Sequence, residues 1–268
     1  MSGIVHLPSS GDFAGAAGDT IAVATVIDDD RYAEGLTNRV LRCLPGSSLQ
    51  RRNDTADTYL FVLSGEGNIY VGDANGTLGE SQHIAYGSAS LVLAGHPWVI
   101  EVESGELVLT DTAVPAPPLP NASALARETG EYRSVVRLGE AEREAATGAR
   151  EFEVLYGPSR GSRGATQFVG FIPPSGAPSH YHLYDEICVV VSGKGLLHAG
   201  GETGELSAGA GVEITLAEPD RDDLVGHFLR LELRQQRHQF TLVAENKTAY
   251  RCSDACHHVR RIVEQFGN

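Results

Sequence analysis

Positive charge is in short supply in this chain: 21 Lys and Arg stand against 35 Asp and Glu over 268 residues, a formal net charge of −14 at pH 7. Such a surface repels phosphate backbones, and no basic cluster is large enough to overrule it, so nucleic acid is not an expected partner. Long apolar runs are missing too; none approaches the roughly 18 residues of a membrane-spanning helix. The opening residues are rich in Gly, Ala and Asp up to Asp19 and carry neither the positive start nor the apolar centre of a secretion signal, so a cytoplasmic protein is expected. Cysteine is sparse: Cys43, Cys188, Cys252 and Cys256 cannot make a disulfide scaffold in so long a chain. Reduced thiols are expected, and the Asn-x-Ser/Thr triplets at Asn53, Asn75, Asn121 and Asn246 are then chance.

What is abundant is turn-forming residue. With 31 Gly and 12 Pro, and 41% hydrophobic residues to build a core, the composition fits an all-β chain of one large or two small domains.

The most informative stretch runs from Gly176 to Gly195, GAPSHYHLYDEICVVVSGKG. His180, His182 and Glu186 stand in the order His-x-His-x3-Glu, with six residues between Glu186 and Gly193. Two imidazoles at i and i+2 of an extended strand project from one face, and a nearby carboxylate completes a donor set for a divalent cation. The bland alternative is a pair of strand histidines hydrogen-bonded to Asp185 and Glu186; the glutamate and the glycine turn together weigh against it. Two imidazoles and a carboxylate suit Fe(II), Mn(II), Ni(II) or Zn(II), and affinity order alone does not choose among them.

The spacing, the strand Ile187 to Val191 and the turn Ser192-Gly-Lys-Gly195 resemble the first conserved motif of the cupin superfamily. That resemblance implies a small antiparallel β-barrel of jelly-roll type with a metal at its mouth. A shift of 128 residues lays Phe61 to Gly72 over Val189 to Gly200, and Pro45 over Pro173. Strand, glycine turn and return strand recur. The chain therefore resembles a bicupin: an N-terminal barrel over 1–114, a linker over 115–130 containing the stiff Pro115 to Pro120 connector, and a C-terminal barrel over 131–268. In the first copy Arg52, Asp54 and Thr58 fall where His180, His182 and Glu186 stand, so a metal-free first barrel is expected, serving the core, a dimer interface or substrate shielding. Its second motif, Gly87 to Trp98, places Trp98 where the family carries its last histidine, with His96 out of register.

In the second copy Gly209 begins the corresponding strand, but counting onward reaches Asp220 or Asp222, and the next histidine is His227. The fourth position is filled by an aspartate, by water, which needs no special geometry, or by His227, which is favoured over the aspartates because imidazole is the family's usual donor. Tyr181, Tyr184, Asp185 and Gln167 are candidate bases or orienting groups by proximity in sequence.

Cys188 shares the parity of Glu186 and should face the same interior, either as a small hydrophobe or beside the metal. His198 is expected to point outward. Cys252, Cys256, His257 and His258 have zinc-ligand residue types, yet Ala255, Val259, Ile262, Val263 and Phe266 recur at helical spacing, and a C-terminal helix is expected. Short helices are also expected at Asn121 to Ala126 and Gly139 to Ala146. By resemblance, the function is that of a metal-dependent enzyme of oxygenase type acting on a small organic molecule, able to activate dioxygen if the metal is iron, with homodimers expected. The competing reading is a non-catalytic binding or structural bicupin.

Overall fold

The structure, a computed structural model, describes residues 5–28, 35–116, 132–146, 149–162, 164–180, 186–199, 202–214, 229–233 and 238–245. The strands in chain order are β1 (Val5–His6), β2 (Ala14–Gly15), β3 (Ile21–Ile27), β4 (Thr37–Cys43), β5 (Gly46–Ser47), β6 (Arg51–Arg52), β7 (Ala56–Ser64), β8 (Glu66–Gly72), β9 (Leu78–Ala85), β10 (Ser88–Val92), β11 (Pro97–Val102) and β12 (Leu107–Pro115). They continue with β13 (Val135–Arg137), β14 (Glu144–Ala145), β15 (Glu151–Tyr156), β16 (Ala165–Ile172), β17 (Ala177–His180), β18 (Glu186–Ser192), β19 (Lys194–Ala199), β20 (Glu202–Ser207), β21 (Gly211–Ile214), β22 (Leu229–Leu233) and β23 (His238–Glu245). The pairings are antiparallel, as an all-β chain built from hairpins requires.

Two seven-stranded sheets run in the orders β13-β10-β7-β12-β4-β3-β2 and β1-β21-β18-β23-β16-β15-β14. Each is accompanied by a smaller sheet, β5-β11-β8-β9 with β6 also on β11, and β17-β22-β19-β20. The two halves thus repeat one plan. The hairpins β7–β8 and β18–β19 turn on Gly65 at φ 79° and Gly193 at φ 103°, a left-handed conformation that favours glycine. A bulge precedes each turn, skipping Leu63 opposite β12 and Val191 opposite β23.

The halves also trade edge strands. From the head of the chain, β1 adds to β21 through Val5↔Val212 and His6↔Gly211; from the stretch after the linker, β13 adds to β10 through Val135↔Ser90 and Val136↔Ala89. The two large sheets lie back to back over one core that joins Val26, Tyr59, Phe61 and Leu91 of one to Leu155, Val169, Ile187 and Val189 of the other. Because both faces of β7 are buried, its sequence is nearly continuously apolar: Tyr59 and Phe61 enter this shared core, while Leu60 and Val62 enter the first barrel. A Cβ on Gly211 would come within 2.6 Å of Val26 Cγ1, so glycine there permits the close approach of the sheets. Tyr59 and Ser162 share a hydroxyl hydrogen bond of 2.7 Å across the same layer.

The helix expected over Gly139 to Ala146 is not formed. Those residues make a turn and β14 because the buried Glu153 carboxylate accepts the backbone N–H groups of Gly139 and Ala141 at 2.7 and 3.2 Å, and β15 offers β14 a partner. Local helix propensity loses to these long-range bonds. Pro115 ends β12 as an exposed last rung opposite Ala56. The expected helices at Asn121 to Ala126 and at the C-terminus lie outside the described residues. No helix among the described residues is long and apolar enough to cross a membrane.

Candidate metal centre

Strand β17 ends at His180, whose backbone pairs with Leu229 of β22 in the smaller sheet of the second half. Strand β18 of the larger sheet begins at Glu186, flanked by Ile214 of β21 and Ala244 of β23. The His-x-His-x3-Glu motif therefore joins the two sheets, with Glu186 where the chain enters the larger one. The Glu186 residue is 2% exposed. Its carboxylate accepts a hydrogen bond at Oε1 from the Cys188 thiol, 3.2 Å away. Burial, with the neighbouring Glu186 carboxylate second, pushes the Cys188 thiol well above its ordinary range.

Alternation sorts the neighbours. Ile187 and Val189 face the core shared by the two sheets, so Glu186 and Cys188 face the opposite way, as the parity of the sequence implied. Gln167 does not join them. It pairs with Val243, which pairs with Ile187, so this fully buried amide lies on the shared-core face and not beside Glu186. Thr166 shares the face of Glu186 without touching it: it pairs with Ala244, the rung of Glu186, and lies about 10 Å away across β23, two strand spacings. Only the register prefers Thr166 over its neighbour, and residue types alone carry no trace of it. His182, Tyr181, Tyr184, Asp185, Asp220, Asp222 and His227 lie outside the described residues, as do Cys252, Cys256, His257 and His258. His198 is partly buried on β19, its Nδ1 2.8 Å from Thr203 Oγ1.

The first half shows which residues stand at the corresponding positions. Ile69↔Ile100 and Leu197↔Leu231 are equivalent rungs after the two hairpins, which makes Trp98 the counterpart of Leu229. Trp98 pairs with Arg51 as Leu229 pairs with His180. The structural counterpart of His180 is thus Arg51, one residue from the Arg52 expected by sequence, because β17 carries an irregularity between Ala177 and His180. His96, set aside in the sequence as out of register, precedes Trp98 by the two residues that separate His227 from Leu229; its Nδ1 lies 2.9 Å from the Gly72 carbonyl.

Arg51 is ion-paired to the buried Asp19 carboxylate at 2.6 Å and lies 5.9 Å over the Trp98 ring. Arg52 pairs with Asp54 at 2.5 Å on the surface. Leu41, Leu60, Ile69, Ile100 and Leu109 fill the same barrel interior. Arg39 and the buried Asp111 form a further pair at 3.0 Å; burial raises the Asp111 carboxyl and the Arg39 guanidinium opposes that rise.

No protein-family model and no curated protein matches the sequence. Solved structures do match. A candidate glyoxylate-induced protein of Pseudomonas aeruginosa superposes with a TM-score of 0.71 at 10% identity, over 91% of this chain and 88% of that one. A cupin 2 conserved barrel domain protein of Leptotrichia buccalis gives 0.55 at 12% identity over 84% and 89%. A point mutant of the oxalate decarboxylase of Bacillus subtilis gives 0.65 at 13% identity over 97% and 84%. The fold of this chain is the antiparallel β-fold of cupin-type proteins.

Proposed function

We propose that this chain is a metal-dependent bicupin enzyme with one divalent cation in its C-terminal half, held by His180, His182, Glu186 and His227. The observation that carries the proposal is the position of the buried Glu186 at the head of β18, six residues after His180 at the end of β17, so that two members of the His-x-His-x3-Glu motif stand at described strand ends. Two neutral imidazoles beside a carboxylate are a fitting donor set for Mn(II), Fe(II), Ni(II) or Zn(II). The fold adds support, because the B. subtilis oxalate decarboxylase, to which it is similar at 12% identity, has Mn(II) centres. His227 is preferred to Asp220 and Asp222 because imidazole is the usual donor of cupins and because, in sequence, it precedes Leu229, the described partner of His180, by two residues.

A cation bound there supplies Lewis acidity for holding and polarising a bidentate small organic substrate. Glu186 would contribute an anionic oxygen and the imidazoles ring nitrogens, and Tyr181, Tyr184 or Asp185, chosen by nearness in sequence, is proposed as the group that holds or moves a proton. Oxygenase-type turnover is the chemistry proposed. The first half, with Arg51, Trp98 and an aliphatic interior, binds no metal in this reading and serves as the supporting barrel. Homodimers are proposed with it, to be checked by light scattering.

One observation favours the second reading, a non-catalytic bicupin: the counterpart of Trp98, where the family carries its last histidine, is Leu229. The readings part on coordination. The protein should contain about one metal per chain by elemental analysis, and Glu186→Gln should weaken binding by more than the roughly 100-fold typical of losing an outer partner. A bound metal that fails to accept small anionic ligands, read by spectral titration, selects the binding protein; about two metals per chain refutes a metal-free first half.

A further inference from the structure

We infer that Cys188 is a positioning residue for the metal centre: its thiol donates to one oxygen of Glu186 and thereby restricts the rotation of that carboxylate, a proposed metal donor. The inference rests on the proposed metal site and adds a residue to it. Three observations meet here. Glu186 and Cys188 are i and i+2 on β18, so they project from the same face, away from the core that receives Ile187 and Val189. Their side chains are both buried and joined by the 3.2 Å Sγ to Oε1 contact, in which the thiol is the donor because a carboxylate has no proton to give.

The third observation comes from the other half of the chain. Under the register in which Gly65 corresponds to Gly193, Glu186 corresponds to Thr58 and Cys188 to Leu60; both counterparts are buried, at 3% and 1% exposure. Thiol and carboxylate are therefore present together in the copy with the His-x-His motif and absent together from the copy that has Arg51 and Trp98. A small buried hydrophobe would serve the packing of either barrel, as Leu60 does; a donor at this place has a use only where there is a carboxylate to orient. A carboxylate tethered at one oxygen loses rotation about its terminal bond, so less ordering is left to the moment of metal binding. Partners of this kind alter metal affinity by about 10- to 100-fold when removed.

The test compares wild type with Cys188→Ser, Cys188→Ala and Cys188→Val, each first shown to melt cooperatively without metal. Binding of Mn(II) and Co(II) is followed by calorimetry, and the visible spectrum of the Co(II)-loaded proteins reports ligand geometry. The hydroxyl of Cys188→Ser keeps a donor and should retain affinity and spectrum, whereas Cys188→Val, close to the thiol in shape but without a donor, should lose about 10-fold or more and shift the Co(II) bands. Cys188→Ala should follow valine. Equal affinities and spectra in Ser and Val variants overturn the positioning role, as does a sulfur-to-cobalt charge-transfer band in wild type, which would make the thiolate a ligand. Wild-type protein that takes up neither metal overturns the metal site itself, and this inference falls with it.

Discussion

At the scale of single residues, the buried thiol Cys43 gives a prediction independent of any metal. Burial pushes it up to about 12, with the Arg51 guanidinium opposing that rise and the Asp19 carboxylate adding to it. In the unfolded chain a thiol ionises near pH 8.5. Above that value the unfolded state releases a proton that the folded state keeps, so stability is intact at neutral pH and falls as pH rises through about 9 toward 12. Melting temperature should decline over this window, and Cys43→Ala, though less stable at pH 7, should show a shallower decline; parallel slopes would show that the thiol ionises within the fold. Iodoacetamide at about pH 8.5 should label Cys43 only after denaturation, as read by peptide mass spectrometry. The sequence made part of this scale legible. The parity that sends Cys188 to the side of Glu186 follows from alternation alone, whereas the identity of Arg51 as the counterpart of His180 depended on an irregularity in β17 that leaves no mark on residue types. Gln167 was misplaced for a related reason: nearness along the chain says nothing about which face of the next strand looks toward the motif.

At the scale of elements, the two hairpins were visible as a glycine turn between apolar runs, and the backbone explains why the turn must be glycine. A Cβ at Gly65 would stand 2.1 Å from the Glu106 carbonyl oxygen, beyond the strain of φ 79° itself. Gly105 adopts nearly the same φ, 78°, with nothing within 4 Å of such a Cβ. The pair separates two costs. Gly105→Ala should lose about 1 kcal/mol, the penalty for a left-handed residue, while Gly65→Ala should lose more than about 3 kcal/mol because backbone has to move as well. Urea denaturation of the two variants measures the difference; equal losses would show that the β7–β8 turn relaxes freely away from β12. What could not be read at this scale was the fate of Gly139 to Ala146. Its composition favours helix, but the Glu153 carboxylate and the edge of β15 lie outside any local window.

At the scale of the whole molecule, the 128-residue repeat foretold two similar halves, and two features hidden from it bind those halves together. Strands β1 and β13 are two and three residues long, too short for any periodicity to announce them, yet each completes a sheet made mainly by the other half. The shared core is equally silent in sequence, since a strand buried on both faces shows an unbroken apolar run without saying what lies on either side. Its energetic weight decides how the protein should unfold. Exposing one buried Leu, Val or Phe costs about 1.5–3 kcal/mol, so losing a handful of these contacts exceeds the roughly 5–15 kcal/mol that stabilises a typical domain. Neither half should survive the loss of its neighbour. Trp98, the chain's one tryptophan, lies in the first barrel and reports on that half by fluorescence. Leu155 lies on β15 in the second half and is fully buried in the shared core. Leu155→Ala should cost about 2–5 kcal/mol and lower the urea midpoint read by Trp98 fluorescence as much as the midpoint read by far-ultraviolet circular dichroism. A Trp98 transition that stays at its wild-type midpoint while the circular dichroism transition moves or splits would show that the first barrel holds its fold alone, and that the exchanged strands and the common core join two independent domains.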